Sequence, residues 1–246
     1  MPETPYFVSY PEAVRILESH PLTLPTETVT LDQGFNRILS RDLESKVDDP
    51  RYDNSAMDGF AFRYEDSTPP PSHLQIIQTV QAGPKTPLAV VEQGQAARIM
   101  TGAPIPDGAN AILPIERCEV DEVNNIVTLT EVGKKHFIRK QGENLRKGHT
   151  ALHKGTILTP SSIGLCATMG YPEIPVFSQA KIGVISTGDE LQIPGTPLND
   201  WEIYESNSFG LISLVKWSGH DAKRYSSVVD SLDNLRMALN QAAEEC

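Results

Sequence analysis

Asp58, in a polar loop at residues 50–59, is the first residue whose type and position indicate a chemical role. A carboxylate in this position can bind Mg²⁺, which accepts one or two carboxylates from a protein and keeps several waters. The same loop contains the pairs Asn54-Ser55 and Asp58-Gly59, which are good turn formers. A metal ligand and an ordinary turn are therefore both open interpretations of this loop.

A second loop, Thr101–Ala111, combines a hydroxyl with glycines and small alanines. Small residues allow a ligand to approach the backbone closely, and the backbone N–H groups can then donate to an anion. The alternative is a rigid loop between strands, because Pro104 and Pro106 restrict its backbone. The pattern indicates an anion contact or a structural loop.

A third segment, residues 134–148, is strongly basic although the whole chain carries a net charge of −11. Its only acid is Glu143. Its basic residues are Lys134, Lys135, Arg139, Lys140, Arg146 and Lys147. Local positive charge of this kind can bind a phosphate-bearing ligand or an oxyanion, and a solvated connecting loop is the alternative.

The fourth segment, Ser186–Glu190, follows the apolar run Ile182–Ile185, which predicts a buried strand. Ligands of open α/β sheets bind beyond the carboxyl ends of the strands. Hydroxyls and two carboxylates in that position can orient a metal ion and its waters. Residues 204–207 precede a predicted helix whose N-terminus would attract an anion. This position favours a functional role.

Several elements must position these segments. Ser9 and Pro11 predict the start of a short helix that ends before Pro21, and a second helical stretch is expected over about 31–39. Residues 60–138 contain short apolar runs between Gly, Pro and Asn, which predicts a β-rich module. Pro160 and Gly170 bracket a further predicted helix.

From residue 181 onward the pattern is βαβα. The strand at Ile182–Ile185 is followed by a helix from Ser206 or Asn207 to Gly219, a short strand at Tyr225–Val229 and a helix from Ser231. This order is the beginning of a doubly wound sheet, and such a sheet usually has four or more strands. We therefore expect a truncated chain, or one that completes its sheet in another way.

Composition and charge exclude some classes of function. A net charge of −11 argues against a general nucleic-acid binder, which needs a broad basic face. No run approaches the about 20 apolar residues of a membrane span, and the N-terminus does not resemble a signal peptide. Three widely spaced cysteines predict free thiols, and glycines flank the His149 and His153 pair. We expect a cytoplasmic protein that binds neither nucleic acid nor membrane.

Taken together, four motifs resemble those of the molybdopterin molybdenumtransferase family, which includes the MoeA proteins and the E domain of gephyrin. The motifs occur in the family's order across nearly the whole chain. They are Asn54–Gly59, Met100–Pro104 with Asp107–Ala111, Arg139–Gly148, and Ser186–Leu191.

The resemblance implies an α/β multidomain fold and a homodimer. A mixed α+β linker and dimerisation domain would comprise residues 1–52 and 138–178, with an inserted β-rich domain at 53–137. Residues 179–246 would form the first half of an incomplete doubly wound α/β domain that binds molybdopterin.

The resemblance also implies a reaction. Enzymes of this family insert molybdate into adenylylated molybdopterin and release AMP in a step that depends on Mg²⁺ or Zn²⁺. An upstream molybdopterin adenylyltransferase would supply the substrate.

Carried over by position, Asp58 and Glu190 would be catalytic carboxylates at the metal, and Thr101 a catalytic hydroxyl. The expected substrate-binding residues are Ser186, Thr187, Gly188, Asp189, Arg139 and Asn207.

One residue departs from the family pattern within these motifs. The family usually has Gly-Glu-Asp where this chain has Gly142-Glu143-Asn144, and the amide of Asn144 keeps the shape but not the charge. A truncated or degenerate protein that binds pterin as a scaffold without turnover is therefore the alternative function.

Overall fold

A computed structural model describes residues 8–225, 227–228 and 230–246. The described residues contain four α-helices and sixteen strands, many of them only two residues long. The helices are α1 (Tyr10–Glu18), α2 (Pro160–Thr168), α3 (Asn207–Trp217) and α4 (Leu232–Glu245). None of these described helices is long and apolar enough to cross a membrane.

The strands are numbered in chain order. Those up to residue 114 are β1 (Thr26–Thr30), β2 (Leu43–Glu44), β3 (Asn54–Ser55), β4 (Gly59–Phe62), β5 (Ser72–Val80), β6 (Gln95–Ile99) and β7 (Ala111–Pro114). The others are β8 (Cys118–Asp121), β9 (Ile126–Leu129), β10 (Ile138–Arg139), β11 (Thr150–Leu152), β12 (Glu173–Phe177), β13 (Lys181–Val184), β14 (Leu191–Gln192), β15 (Ile203–Tyr204) and β16 (Asp221–Arg224).

The chain divides into two compact units. The β-rich unit comprises residues 42–153 and 164–172. The α/β unit comprises residues 1–41, of which 8–41 are described, together with 154–163 and 173–246.

The core of the β-rich unit is a six-stranded sheet with the order β7-β4-β6-β5-β9-β8. Its pairs are antiparallel except for β5 and β6. Alternate residues of β4 face opposite sides, so Phe60 and Phe62 join one buried cluster and Ala61 joins the other. The prediction of β structure over 60–138 is confirmed.

In the α/β unit, β13 and β16 pair in parallel and α3 connects them. β1 and β12 form a separate antiparallel pair, and β14 and β15 a short parallel one. The predicted helices at α1, α2, α3 and α4 are confirmed. Ser231 caps α4 by accepting a hydrogen bond from the backbone N–H of Asn234.

The predicted helix over about 31–39 is wrong. Only a short 3₁₀ turn forms, at Leu31–Gln33. Asn36 then adopts a left-handed conformation with φ of 60°, which ends helical geometry. Ile38 and Leu39 instead form antiparallel bridges with Ile157 and Val176. The apolar spacing of this segment fits a helical period, but its partners are distant in sequence.

The predicted strand at Tyr225–Val229 is misplaced. The strand β16 ends at Arg224, although Val228 still bridges Thr187 in parallel. Ser226 and Val229 lie outside the described residues. The error arose because Asp221–Arg224 are mostly polar and exposed, so the strand lacks the apolar pattern of a buried one.

Candidate functional site

Asp58 and Thr101 form the best-defined polar arrangement in the β-rich unit. The Oδ1 atom of Asp58 accepts hydrogen bonds from the backbone N–H of Thr101 at 2.7 Å and from its hydroxyl at 2.8 Å. Among the described residues, the other carboxylate oxygen has no hydrogen-bond partner. Two motifs that are far apart in sequence are therefore joined through one carboxylate.

The backbone around Asp58 is anchored on both sides. Its carbonyl accepts from the N–H of Ile115 at 3.0 Å. The next residue must be glycine, because a Cβ on Gly59 would lie 2.1 Å from the carbonyl oxygen of Leu113 on the neighbouring strand. The sheet thus fixes the position from which the Asp58 side chain projects into solvent.

The pKa of Asp58 is lowered from its usual value. The backbone N–H of Thr101 is the largest cause and the hydroxyl of Thr101 is the second, while partial desolvation opposes both. Hydrogen bonds to the charged form stabilise that form. Asp58 is therefore an ionised, exposed carboxylate at neutral pH.

The loop that carries Thr101 packs directly against the loop that carries Asp58. The N–H of Ser55 donates to the carbonyl of Ala103 at 3.0 Å, and the N–H of Gly102 donates to the carbonyl of Ser55 at 2.8 Å. On the other side, β3 pairs with β10, which aligns Asn54 with Arg139. Three of the four predicted motifs therefore contact one another in this unit.

The basic segment is less positive than its local sequence indicates. Three of its six cations pair with acids, and two of these acids, Asp53 and Glu131, lie outside the segment. The ion pairs are Arg139–Glu143 at 2.8 Å, Lys140–Asp53 at 2.6 Å and Lys134–Glu131 at 3.9 Å. The expectation of six cations against one acid is corrected, because counting acids along the segment misses those that the fold supplies.

Asp48 completes this compensation and orders the loop. Its carboxylate accepts from the backbone N–H of Lys147 and from the side-chain amide of Gln141, both at 2.8 Å. The N–H of Lys147 is the largest cause of a lowered pKa at Asp48. The pKa of Asp53 is lowered chiefly by Lys140. Two carboxylates that the sequence analysis did not single out therefore organise the basic segment.

Asn144 has a defined partner. Its side-chain amide donates to Oδ2 of Asp49 at 2.9 Å, and its backbone N–H donates to the carbonyl of Asp49 at 3.0 Å. An aspartate at position 144 would place a second carboxylate against Asp49. The amide is therefore matched to its surroundings in this chain.

In the α/β unit, Ser186–Glu190 lies directly beyond the carboxyl end of β13, as predicted. The hydroxyls of Ser186 and Ser227 are 3.2 Å apart. Oδ1 of Asp189 accepts from the backbone N–H of Asp230 at 3.0 Å. The loop is thus attached to the segment that follows β16, which sequence reasoning had not linked to it.

Gly188 makes room for the Glu190 carboxylate. Its φ is 148°, and a Cβ at this position would lie 2.7 Å from Oε2 of Glu190. Both requirements favour glycine. The Glu190 carboxylate therefore lies close to the backbone at Gly188.

A cavity of about 280 Å³ lies at this end of β13. Ser186, Thr187 and Asn207 line it together. Glu205 also lines it, is only 5% exposed, and accepts hydrogen bonds from the backbone N–H of Ser208 at 2.7 Å and from the Ser208 hydroxyl. The predicted anion-attracting N-terminus of α3 therefore already holds a carboxylate of the chain itself. An acid directly before a helix start was the available sequence signal for Glu205.

The two predicted metal carboxylates belong to different units, Asp58 to the β-rich unit and Glu190 to the α/β unit. Within the described residues, no group of three or more His, Cys, Asp or Glu side chains is placed to hold a metal ion. Asp58 and Thr101 are brought together, and Ser186, Thr187 and Asn207 are brought together. The joint metal centre remains a prediction.

Comparisons with known proteins identify the family of this chain. The model of the MoeA N-terminal region, domains I and II, matches residues 8–170. Molybdopterin molybdenumtransferase 2 of Mycobacterium tuberculosis is 41% identical over 196 residues, which cover 78% of this chain and 48% of the relative. Molybdopterin molybdenumtransferase of Synechococcus elongatus is 39% identical over 230 residues, covering 91% and 57% respectively. The chain spans about half the length of these curated relatives.

Solved structures agree with the sequence matches. The crystal structure of the molybdopterin biosynthesis MoeA protein from Pyrococcus horikoshii OT3 is similar, with a TM-score of 0.88 and 32% sequence identity. The alignment covers 97% of this chain and 64% of that one. A second structure of the P. horikoshii protein gives a TM-score of 0.81 at 29% identity. The likeness therefore extends beyond residue 170, into the C-terminal part of the α/β unit.

Proposed function

This chain belongs to the MoeA family, and we propose that its protein acts in molybdenum cofactor biosynthesis as a molybdopterin molybdenumtransferase. The resemblance predicted from four sequence motifs is thereby confirmed. The proposed reaction inserts molybdate into adenylylated molybdopterin and releases AMP.

The observation that carries this proposal is the hydrogen-bonded pair of Asp58 and Thr101. The reaction brings together a pterin phosphate, a nucleotide and an oxyanion, all negatively charged, so the site must balance charge at the bond that breaks. Thr101 holds one oxygen of Asp58 and keeps the carboxylate ionised. The other oxygen remains free of hydrogen bonds from described residues and can serve the reaction.

The two residues that the resemblance assigns to a metal are of the chemical kind that magnesium binds. Asp58 and Glu190 are both exposed carboxylates, and Mg²⁺ binds through one or two carboxylates and several waters. Zn²⁺, the other ion that the resemblance implies, prefers His and Cys ligands, which neither predicted position supplies. A bound Mg²⁺ would neutralise charge on the phosphoryl oxygens, and in our proposal Asp58 and Glu190 would hold it.

The remaining predicted residues would bind the substrate. Ser186, Thr187 and Asn207 line the 280 Å³ cavity, which supports a pterin-side role for the loop that also contains Gly188 and Asp189. Arg139 lies on β10, beside the strand that leads to Asp58, and pairs with Glu143. An anionic substrate would compete with Glu143 for this guanidinium.

Homodimer formation is also part of the proposal. Helix α1 has no buried residue, and Tyr10, Ile16 and Leu17 are exposed on it. An amphipathic helix with an uncovered apolar face supports a contact with a second copy.

The division into a dimerisation domain (1–52 and 138–178), an inserted domain (53–137) and a pterin-binding domain (179–246) belongs to the same proposal. A cytoplasmic location and a supply of substrate by a molybdopterin adenylyltransferase are also part of this proposal.

The test is AMP release from adenylylated molybdopterin by the full-length protein with Mg²⁺ and molybdate. We expect Asp58→Asn and Glu190→Gln each to lower the rate by about a hundred-fold or more while the dimer persists in light scattering. Glu119→Gln is the matched control, because Glu119 is an exposed carboxylate on the edge strand β8. Full activity in Asp58→Asn would refute the site assignment.

A second candidate function, a pterin-binding scaffold without turnover, is favoured by Asn144. Its amide is engaged with Asp49 and supplies no charge. If the protein is a scaffold, Asp58→Asn should bind molybdopterin with the same affinity as the parent protein, and neither protein should release AMP. AMP release by the parent protein excludes this candidate.

A further inference from the structure

Arg224 makes a different contact from four other arginines of this protein. The side chains of Arg37, Arg98, Arg117 and Arg139 each pair with a carboxylate. The guanidinium of Arg224 instead lies 4.0 Å from the centroid of the Phe209 ring. In the part of the chain that the structure describes, it has no ion pair and its side chain donates no hydrogen bond.

Contact with the face of Phe209 leaves the N–H donors of the guanidinium available. Its five N–H donors lie in one plane and match the oxygens of a carboxylate or phosphate. Stabilisation by an aromatic face keeps the charge in place without using these donors. Arg224 is therefore held by its neighbours and retains its capacity to bind an anion.

Arg224 lines a cavity of about 120 Å³ together with Ser186 and Ser227. This volume is well above the ~10–15 Å³ that a single water requires. The two serine hydroxyls are 3.2 Å apart, within hydrogen-bond distance of each other, and each can rotate to donate to a bound anion. A planar cation and two hydroxyls around a small cavity are the donor set of a tetrahedral oxyanion.

The acid in this wall does not neutralise Arg224 by direct contact. Both oxygens of Glu205 accept hydrogen bonds from Ser208 at the start of α3. Glu205, two residues before α3, therefore accepts from a backbone N–H in the first turn of the helix, and neither of these hydrogen bonds involves the guanidinium. Arg224 still favours the ionised form of Glu205, so the two charges are near but not paired.

We propose that Arg224, Ser186 and Ser227 bind a dianionic phosphoryl group at the carboxyl end of the α/β sheet. Binding of an anion at this site does not require catalysis by Asp58. Identification of the anion with the phosphate of a pterin substrate rests on the proposed function. A phosphomonoester and inorganic phosphate present the same chemistry to these residues.

The test is an NMR titration of the ¹⁵N-labelled chain with inorganic phosphate, at constant ionic strength. We expect saturable shifts at the amides of Ser186 and Ser227. Arg224→Gln should weaken binding tenfold or more. Lys223→Gln is the matched control, because Lys223 is the preceding residue of β16, carries the same charge, and pairs with Glu245 on α4. It should bind phosphate like the parent chain.

A second variant keeps the test valid if Arg224→Gln does not fold. Ser227→Ala retains the charge and should weaken phosphate binding several-fold. Parallel titrations with phenyl phosphate and molybdate distinguish the sources: tighter binding of phenyl phosphate indicates a phosphomonoester site. Wild-type affinity in Arg224→Gln, equal weakening in Lys223→Gln, or absence of saturable shifts would overturn the proposal. Such a failure would leave the AMP-release assay unaffected.

Discussion

At the scale of single residues, Thr101 lowers the pKa of Asp58 through two donors. Replacing it with valine removes the hydroxyl and keeps the backbone N–H. Because the N–H is the larger cause of the lowered pKa, we expect Thr101→Val to raise the pKa of Asp58 only part of the way towards its usual 3.8. A carboxyl-detected NMR titration measures this change.

The direction of the pH effect follows from the sign of the shift. A lowered pKa in the folded state stabilises the fold above the usual pKa of Asp58, and this stabilisation is lost as the pH falls through the lowered value. Thr101→Val should therefore be less stable than the parent near neutral pH and match it in acid. Thr101→Ser restores the hydroxyl and should behave as the parent. An unchanged pKa in Thr101→Val would contradict the assignment.

Gly188 gives a second prediction at this scale. Gly188→Ala combines an unfavourable φ with a Cβ only 2.7 Å from Glu190. Gly195→Ala is the control, because Gly195 also has a positive φ of 96° but no heavy atom within 4 Å of the added Cβ. We expect both to lose about 1 kcal/mol of unfolding free energy from backbone strain. Only Gly188→Ala should also displace Glu190 and reduce AMP release by the full-length protein. Equal activity in the two variants would argue against a role for the Glu190 position.

At the scale of elements, the N-terminus of α3 depends on Glu205. Hydrogen bonds from the Ser208 hydroxyl and then from its N–H are the main causes of a lowered pKa at Glu205, and Arg224 adds to them. The stabilisation is therefore present at neutral pH and is lost as the pH falls through the lowered pKa. Glu205→Gln keeps the shape without the charge and should weaken α3 by about 1 kcal/mol.

Amide hydrogen exchange in α3 between pH 6 and pH 3 measures this effect, after correction for the intrinsic rates. The parent should lose protection in α3 as the pH falls, and Glu205→Gln should show a flatter profile. Glu244→Gln serves as the control because Glu244 is exposed on α4. Identical profiles in the parent and Glu205→Gln would mean that another group caps the helix.

Local patterns predicted the elements that are formed by local interactions. The start of α4 at Ser231 can be derived from neighbouring residues, because helix ends depend on short spacings. The stretch at 31–39 could not be assigned in this way. Its apolar residues pair with Ile157 and Val176, more than 100 positions away, so its conformation depends on tertiary contacts.

The candidate site shows the same limit. Asp58 and Thr101 were each identifiable as polar residues in glycine-containing loops, but nothing in their spacing of 43 residues predicts a hydrogen bond. The acids that offset the basic segment were missed for the same reason, since Asp53 is 87 residues from Lys140. Only the family resemblance connected Asp58 with Thr101 before the structure did.

At the scale of the whole molecule, the six-stranded sheet and the segment 181–246 differ in how much apolar surface they bury. The sheet of the β-rich unit contains side chains with no exposed surface, including Phe60, Phe62 and Leu113. In the described part of 181–246, the buried hydrophobic side chains are Val184 and Tyr225, and α4 has none. Burial of apolar area is the main source of folding stability. The two-stranded parallel sheet is therefore stabilised by less buried apolar area.

This difference predicts the order in which the chain opens. We expect amide protection in β4, β6 and β7 to exceed that in β13, β16 and α4 by at least tenfold, equivalent to about 1.4 kcal/mol in opening free energy. Hydrogen exchange followed by mass spectrometry on the intact chain measures both regions in one experiment. A two-stranded sheet has few neighbouring strands to share its hydrogen bonds, so local opening exposes it without disturbing the six-stranded sheet. Protection in β13 and β16 equal to that in β4 would mean that the α/β unit opens only with the whole fold, contrary to its burial.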